Sequence, residues 1–161
     1  MTNRVFAIAD THFGHKRVIQ FEHDARPYAS IEEHDRDLIQ KWNATVNKRD
    51  VVWHLGDVFF GKDGHLVLGE LNGTKKLVMG NHDQHPLEIY QRYFSKIYGV
   101  TQYRSCIFSH VPVARSQGYR FMANVHGHMH STKMPDPWYI CVSAEQVDMR
   151  PKLMDHVLQG L

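Results

Sequence analysis

The sequence contains little cysteine. Its 161 residues include two cysteines, Cys106 and Cys141, and neither belongs to a Cys-x-x-Cys pair. This argues against zinc ribbons and thioredoxin-like chemistry, and we interpret both residues as reduced, buried thiols. A domain of roughly 150 residues buries enough surface to fold without disulfides. We therefore expect the hydrophobic core to stabilise this fold without disulfide bonds.

Long apolar runs are also missing. No stretch approaches the roughly 20 apolar residues that span a bilayer, and residues 1–4 do not resemble the start of a signal peptide. We therefore expect a cytoplasmic protein with no membrane partner.

Charge of one sign is not in marked excess. The 19 lysines and arginines and the 17 acidic residues give a net charge of +2, and the basic residues form no long block. No aromatic and basic stacking surface stands out in the sequence. Nucleic acid or a nucleotide is a possible partner but is not indicated, and no oligomeric state is predicted.

The pattern of apolar residues predicts a single α/β domain over residues 1–161. Apolar runs predict strands at residues 5–9, 51–53, 77–79, 97–103, 105–109, 121–126 and 138–142. Helices are predicted to begin at Ser30, where Glu33 completes a capping box, to span residues 65–71, and to extend from Pro86 through Tyr93. Strands and helices alternate in the first half of the sequence, and the second half is mostly strand, which predicts two packed sheets with helices outside.

Histidine, by contrast, is abundant, with 13 residues, and imidazole is the commonest metal ligand. Five fragments place histidine, aspartate or asparagine mostly just after a predicted strand. They are Asp10-Thr11-His12, Gly56-Asp57, Gly80-Asn81-His82-Asp83, Ser109-His110 and Gly127-His128-Met129-His130. In α/β sheets, ligands bind at the carboxyl ends of strands. One pocket could therefore gather all five fragments.

The chemistry of these side chains predicts divalent metal ions. Carboxylate, amide and imidazole ligands without thiolate suit Mn²⁺, Fe²⁺, Zn²⁺, Ni²⁺ or Mg²⁺, and among these we take Mn²⁺ as the first choice. Seven candidate ligands are too many for one tetrahedral zinc ion but suit two ions about 3.5–4 Å apart. Such a pair generates hydroxide from a bridging water near neutral pH and clamps phosphoryl oxygens.

In this order, the five fragments resemble the D-x-H, G-D, G-N-H-D, H and G-H-x-H motifs of the calcineurin-like metallophosphoesterase superfamily. The opening Ala9-Asp10-Thr11-His12-Phe13-Gly14-His15 is similar to a small bacterial and phage subgroup. The resemblance extends from residue 5 to about residue 150. It implies an α/β fold, a four-layer αββα sandwich of two mixed β-sheets flanked by helices, with a dinuclear metal centre.

The resemblance also implies roles for individual residues. The ligands of the first metal are expected to be Asp10, His12, Asp57 and His130. Those of the second are expected to be Asp57, Asn81, His110 and His128, with Asp57 bridging. His82 corresponds to the active-site histidine, which contacts phosphate and protonates the leaving oxygen, and Asp83 to its orienting partner.

Further residues are candidates for substrate binding. Arginine offers a planar fork that suits phosphate, which makes Arg26 and Arg115 candidates, and His15 is a candidate for lining the pocket. Arg115 is preferred because the loop after His110 should pass over the metals. His126 is interpreted as a supporting residue rather than a ligand. Like His15, His54 is a candidate for lining the pocket, and solvent exposure is expected for His23, His34, His65, His85 and His156.

These observations together predict a metal-dependent hydrolase of a small phosphoester, in which metal-bound hydroxide attacks phosphorus and His82 assists the leaving group. A phosphodiester is favoured, because a compact chain has little room for a cap that encloses a monoester. One alternative is a phosphomonoesterase acting on a nucleotide, sugar phosphate or phosphoprotein. Another is a non-catalytic, protein-binding scaffold of the same fold.

Overall fold

The computed structural model describes residues 3–161, in which strands and short helices follow one another along the chain. The strands are β1 Val5–Ile8, β2 Val51–His54, β3 Thr74–Val78, β4 Phe94–Tyr98, β5 Thr101–Tyr103, β6 Cys106–Phe108, β7 Asn124–His126, β8 Tyr139–Cys141 and β9 Lys152–Leu153. The α-helices are α1 Val18–Phe21, α2 Ile31–Thr45, α3 Leu87–Gln91 and α4 Met154–Val157. The 3₁₀ helices are Gly64–Gly69, Arg115–Gln117 and Ala144–Val147.

The strands form two mixed sheets. The first has the order β4-β3-β2-β1-β9, in which β1 to β4 are parallel and β9 is antiparallel to β1. The second has the order β5-β6-β7-β8, with β5 antiparallel to β6 and the other pairs parallel. This arrangement confirms the prediction of two mixed sheets flanked by helices.

The two sheets pack through aromatic side chains. The ring of Trp53 in β2 lies 5.4 Å from that of Phe108 in β6 and 5.6 Å from that of Tyr103 in β5, measured between centroids. At one end, Ala9 also pairs with Ser143 in an isolated bridge. The residues that follow β1 and β8 are therefore held side by side.

Helix α2 begins where its capping residues predict. The Ser30 side chain accepts a hydrogen bond from the Glu33 backbone N–H, and the Glu33 carboxylate accepts one from the Ala29 N–H. The helix buries Leu38 and Trp42 against the core. None of the helices in the described part of the chain has the length and apolar character needed to cross a bilayer.

Some elements differ from the sequence-based predictions. The helix predicted over residues 65–71 is a 3₁₀ helix at Gly64–Gly69, and the single strand predicted over 97–103 is divided into β4 and β5 by a bend at residues 99–100. Helix α3 ends at Gln91 because β4 begins three residues later and pairs with β3. Helix α1 lies in a segment for which the sequence predicts no helix, because its four residues are too few to show a helical period.

Candidate metal centre

The candidate ligands follow the carboxyl ends of strands from both sheets. Asp10 comes two residues after β1, and Asp57 and Asn81 each come three residues after β2 and β3. His110 and His128 each come two residues after β6 and β7. Because these strands run parallel within their sheets, their carboxyl ends bring the side chains to one edge of the molecule.

The backbone at these positions adopts an uncommon conformation. Positive φ angles of 48–68° occur at five candidate ligands, namely Asp10, His12, Asp57, His128 and His130. Few residues other than glycine adopt this left-handed region, and those that do cluster at functional sites. The surrounding hydrogen bonds hold these turns, which direct the side chains towards one another.

Glycine allows the chain segments to approach closely. A Cβ at Gly127 would lie 2.6 Å from the Ala9 Cβ and 2.7 Å from Asp10 Oδ2, and a Cβ at Gly80 would lie 2.5 Å from the Asp57 backbone nitrogen. Because real Cβ atoms do not come this near to other atoms, a larger residue at either position would push the ligand-bearing segments apart.

A first group consists of Asp10, His12 and His130. Each offers one potential ligand atom, and these three atoms lie within 4.8 Å of one another. Asp10 Oδ1 is 3.8 Å from His12 Nε2 and 4.0 Å from His130 Nε2. These separations are too long for hydrogen bonds. They leave room for an ion between the three side chains.

A second group comes from Asp57, His110 and His128. Asp57 Oδ2 is 3.4 Å from His110 Nε2 and also 3.7 Å from His12 Nε2 of the first group. The Asp57 carboxylate therefore lies between the two groups. Asn81 Oδ1 lies 3.0 Å from His128 Nδ1, which brings the amide beside the second group.

Several of these atoms are buried without a hydrogen bond. Within residues 3–161, Asp10 Oδ1, His12 Nε2 and His110 Nε2 have no hydrogen-bond partner. A buried polar atom without a partner is costly, whereas a divalent ion bound at about 2.0–2.2 Å uses such lone pairs. The donor set therefore fits divalent metal ions.

Neighbouring groups orient these side chains. The Ser143 hydroxyl and the His128 backbone N–H both donate to Asp10 Oδ2, at 2.7 and 2.9 Å, which leaves Oδ1 facing the site. His110 Nδ1 donates to the Leu55 carbonyl, so Nε2 faces Asp57. Outer hydrogen bonds of this kind fix the tautomer of metal-binding histidines.

The electrostatic field of the cluster favours ionised carboxylates. Burial by itself acts to raise the pKa of Asp10, but the neighbouring His12, His110 and His130 hold that pKa well below its usual range. Burial acts to lower the pKa of His110, yet the Asp57 and Asp10 carboxylates raise it to about 9. The cluster thus keeps its carboxylates ionised and balances them with positive charge on the His110 imidazole, the role that a bound cation would take.

His82 lies at the exposed edge of this cluster. Its backbone N–H donates to Asp57 Oδ1 at 2.9 Å, and its ring centroid is 6.3 Å from that of His12 and 5.4 Å from that of Phe60. The imidazole is therefore accessible to a ligand that reaches the candidate metal site.

Asp83 does not have the predicted contact with the His82 ring. Its Oδ2 accepts hydrogen bonds from the backbone N–H groups of Asp57 and Gly80, at 2.9 and 2.8 Å, and its Oδ1 accepts one from Val58 at 2.9 Å. A carboxylate engaged in this way holds the loops after β2 and β3 together. We therefore replace the predicted role of orienting His82 by one of fixing the backbone that carries Asp57.

The three substrate-binding candidates lie in different surroundings. His15 Nδ1 is 2.9 Å from His12 Nδ1, and the His15 ring stacks on Phe60, so this residue does lie beside the site. Arg115 is exposed, with its guanidinium 4.5 Å from the ring centroid of Trp138 and its Nε 3.5 Å from Asp136 Oδ2. The contacts of Arg115 are thus with the loop before β8.

The predicted contact of Arg26 with phosphate is not supported. The Arg26 side chain is fully buried, with its Nε donating to Glu145 Oε1 at 2.7 Å and its terminal nitrogens donating to the carbonyls of Asp10 and Thr11. Arg26 therefore stabilises the backbone turn at Asp10 and does not contact a substrate.

Glu145 is a residue that the sequence analysis missed. Besides Arg26, its Oε1 accepts a hydrogen bond from His130 Nδ1 at 2.8 Å, which turns His130 Nε2 towards Asp10. Glu145 lies in a 3₁₀ helix 119 residues after Arg26 and belongs to none of the five motifs. The sequence carried no local signal for it.

The other histidines divide into buried and exposed residues. His34 was predicted to be exposed and is fully buried, because its Nε2 accepts from Arg26 and its Nδ1 donates to Asp35. Exposure is observed for His23 and His156, whereas His65 and His85 are half-buried. His126 is buried, and its Nδ1 donates to the Gly127 carbonyl, which keeps it outside the two groups.

Two mixed sheets with clustered carboxylate and imidazole groups at their strand ends match the fold and the donor set expected of a metallophosphoesterase. The profile of the calcineurin-like phosphoesterase family matches residues 3–150, and the chain belongs to that family. The family hydrolyses phosphoesters with divalent metal ions, and this chain carries two groups of residues that could hold them.

The chain is also similar to individual proteins. An uncharacterized protein of Methanocaldococcus jannaschii is 28% identical over 97% of this chain and 90% of its own length. The Gene 66 protein of Mycobacterium phage L5 is 37% identical, over 54% of this chain and 43% of its own. A crystal structure of a protein of unknown function from Aquifex aeolicus shares the fold, with a TM-score of 0.79 at 21% identity over 97% of this chain and 98% of that one.

Proposed function

We propose that this chain is a phosphodiesterase that works with two divalent metal ions. Asp10, His12 and His130 would hold the first ion, and His110, His128 and Asn81 the second, with Asp57 bridging the two. The observation that carries this proposal is that three buried atoms, Asp10 Oδ1, His12 Nε2 and His110 Nε2, have no hydrogen-bond partner in the described chain. The two histidine nitrogens lie 3.7 and 3.4 Å from Asp57 Oδ2.

When bound, two such ions supply an activated water and neutralise the charge that develops on the phosphoryl oxygens. The residues of the chain supply the rest. Asp10 and Asp57 provide the negative charge, while Ser143, Leu55 and Glu145 keep the ligand atoms aimed inward. Because ligand atoms fixed in advance need little reorganisation, this arrangement favours the transition state.

His82 would donate a proton to the leaving oxygen. Its ring is accessible and near His12. Its backbone N–H donates to Asp57, which fixes the position of His82 relative to the candidate centre. A positioned general acid contributes about a hundredfold or more in rate. The exposure of Asn81 and His82 supports a diester substrate, because an open site can accommodate a substituent on each side of phosphorus.

The test is metal analysis combined with two assays. Protein purified with added Mn²⁺ should bind two ions per chain and hydrolyse bis-p-nitrophenyl phosphate faster than p-nitrophenyl phosphate. Activity on the monoester alone would overturn the diester preference. Absence of hydrolysis across a broad phosphoester panel, with two metals bound, would favour the protein-binding scaffold.

The His82→Ala variant separates binding from chemistry. We expect it to keep its metals and to lose about a hundredfold or more in kcat. His156→Ala is a matched control, because His156 is also exposed and lies in α4, outside the five motifs. A His82→Ala variant with full rate and full metal content would exclude the proposed proton donor.

A further inference from the structure

A cavity of about 330 Å³ opens beside the candidate metal centre. Part of its wall is formed by His12, His82 and His130. It is therefore continuous with the place where the phosphoryl group would bind. Its volume lies within the range of small-molecule sites, about 300–1,000 Å³.

The inner wall of this cavity is aromatic. The Phe60 and His15 rings are stacked, with centroids 3.9 Å apart and planes 13° apart. The Phe60 centroid is also 4.9 Å from that of His12 and 5.4 Å from that of His82. Phe60 therefore connects the candidate metal centre to the rest of the cavity.

The outer wall comes from α1. Phe21 lines the cavity yet is 64% exposed, and the Arg17 guanidinium carbon lies 4.8 Å from its ring centroid. Val18 adds an apolar side chain from the same helix. An exposed aromatic ring bordered by a cation is the kind of surface on which nucleobases stack.

We propose that this cavity binds the nucleobase of the substrate, so that the enzyme acts on nucleotide phosphoesters. The inference rests on the proposed function, which places phosphorus at the metal ions. The base would lie against the Phe21 and Phe60 rings of the cavity wall, where Arg17 adds a cation and Glu22 a carboxylate. No basic and aromatic surface is visible in the sequence, because Phe21 and Phe60 are 39 positions apart and line one cavity only in the folded chain.

Hydrolysis of two diesters tests the proposal. One is adenylyl-adenosine, and the other is glycerylphosphorylglycerol, which has no aromatic group. With Mn²⁺, the protein should have a higher kcat/KM for the dinucleotide, and Phe21→Ala should lower this value about fivefold or more, as expected for loss of one stacking contact. The value for the glycerol diester should change less than about twofold.

Two further variants complete the set. Phe60→Leu keeps an apolar wall but removes the stacking face, and we expect it to lower kcat/KM for the dinucleotide more than for the glycerol diester. Tyr119→Ala is the control, because Tyr119 is an aromatic residue with 79% exposure that is not part of the cavity wall. Equal losses on both diesters in Phe21→Ala, or no preference for the dinucleotide in the parent protein, would overturn the proposal.

A binding measurement distinguishes this inference from the proposed function. Titration calorimetry compares the phosphonate analogue of adenosine 5′-phosphate with ethylphosphonate, neither of which has an ester bond at the phosphorus to cleave. Tighter binding of the adenosine compound that is lost in Phe21→Ala would support the base site. If neither diester is hydrolysed while this binding is observed, only the proposed function fails. Equal binding of both compounds would exclude the base site.

Discussion

At the scale of single residues, the candidate centre depends on side chains that no motif contains. Arg26 and Glu145 form a buried ion pair, and Glu145 also binds His130, while Arg26 holds the carbonyls of the Asp10 turn. Breaking a buried pair by removing one charge leaves the other uncompensated. The pair therefore couples the turn after β1 to the orientation of His130.

This coupling gives a prediction for Glu145→Gln. The amide keeps the shape of the side chain but removes the charge that His130 Nδ1–H and Arg26 contact, so His130 should bind metal less well. We expect about 10–100-fold weaker metal affinity, measured by competition with a chelator dye. Glu88→Gln is the control, because Glu88 is exposed in α3. Unchanged affinity in Glu145→Gln would contradict the positioning role.

At the scale of elements, the loops after β2 and β3 behave as one unit. Asp83 accepts hydrogen bonds from backbone groups in both loops, and His82 donates from one loop to Asp57 in the other. Asp57 and His82 therefore keep a fixed relation, even though they follow different strands.

We predict that Asp83→Asn loosens this unit. An amide can replace only one of the two accepting oxygens, which leaves a buried N–H without a partner and should lower the free energy of unfolding by about 1–3 kcal/mol. Urea unfolding measures the loss. If Asp83 instead served only to orient His82, stability would be unchanged and the pH profile of kcat would shift.

Helix α2 offers a purely structural prediction. Ser30→Ala removes the acceptor for the Glu33 N–H, and should cost about 1 kcal/mol of stability while leaving kcat and metal content intact. Ser30→Asp, which restores an acceptor at the same position, should recover most of the loss in urea unfolding. A drop in activity in the alanine variant would show that the helix start influences the site.

At the scale of the whole molecule, the candidate centre joins the two sheets. The first group takes Asp10 from the end of β1 and His130 from the segment after β7, and the second takes Asp57 from the first sheet and His110 from the second. Ions bound in both groups would therefore connect the sheets as well as act in catalysis. Metal binding should be visible in the stability of the whole fold.

We accordingly predict that chelation lowers the melting temperature. An ion present at about a hundred times its Kd, and bound only by the folded state, stabilises it by about 2.7 kcal/mol. For a domain of this size, that corresponds to about 5–10 °C. Adding Mn²⁺ to the chelated protein should restore the loss, and Asp57→Asn should respond much less. A melting temperature independent of Mn²⁺ would contradict a centre that links the sheets.

The sequence by itself determined the features that depend on neighbouring residues. The capped start of α2, the positions of the core strands and the order of the five motifs follow from local periodicity, capping chemistry and spacing. Together with the preference of ligands for strand ends, these local signals were enough to predict two packed sheets and to select the five fragments that the fold brings together. The mixed character of the sheets and the role of each ligand were predicted from the resemblance to the family.

Only the tertiary structure decided the features that depend on distant contacts. The roles of Arg26, Asp83 and Glu145, the burial of His34, and the cavity between Phe21 and Phe60 arise where segments far apart in the chain meet. A buried ion pair or a stacking surface has no fixed sequence spacing, because its partners are chosen by the packing of the sheets. The physical reason is that burial and hydrogen-bond partnership are properties of the folded chain, not of any short segment within it.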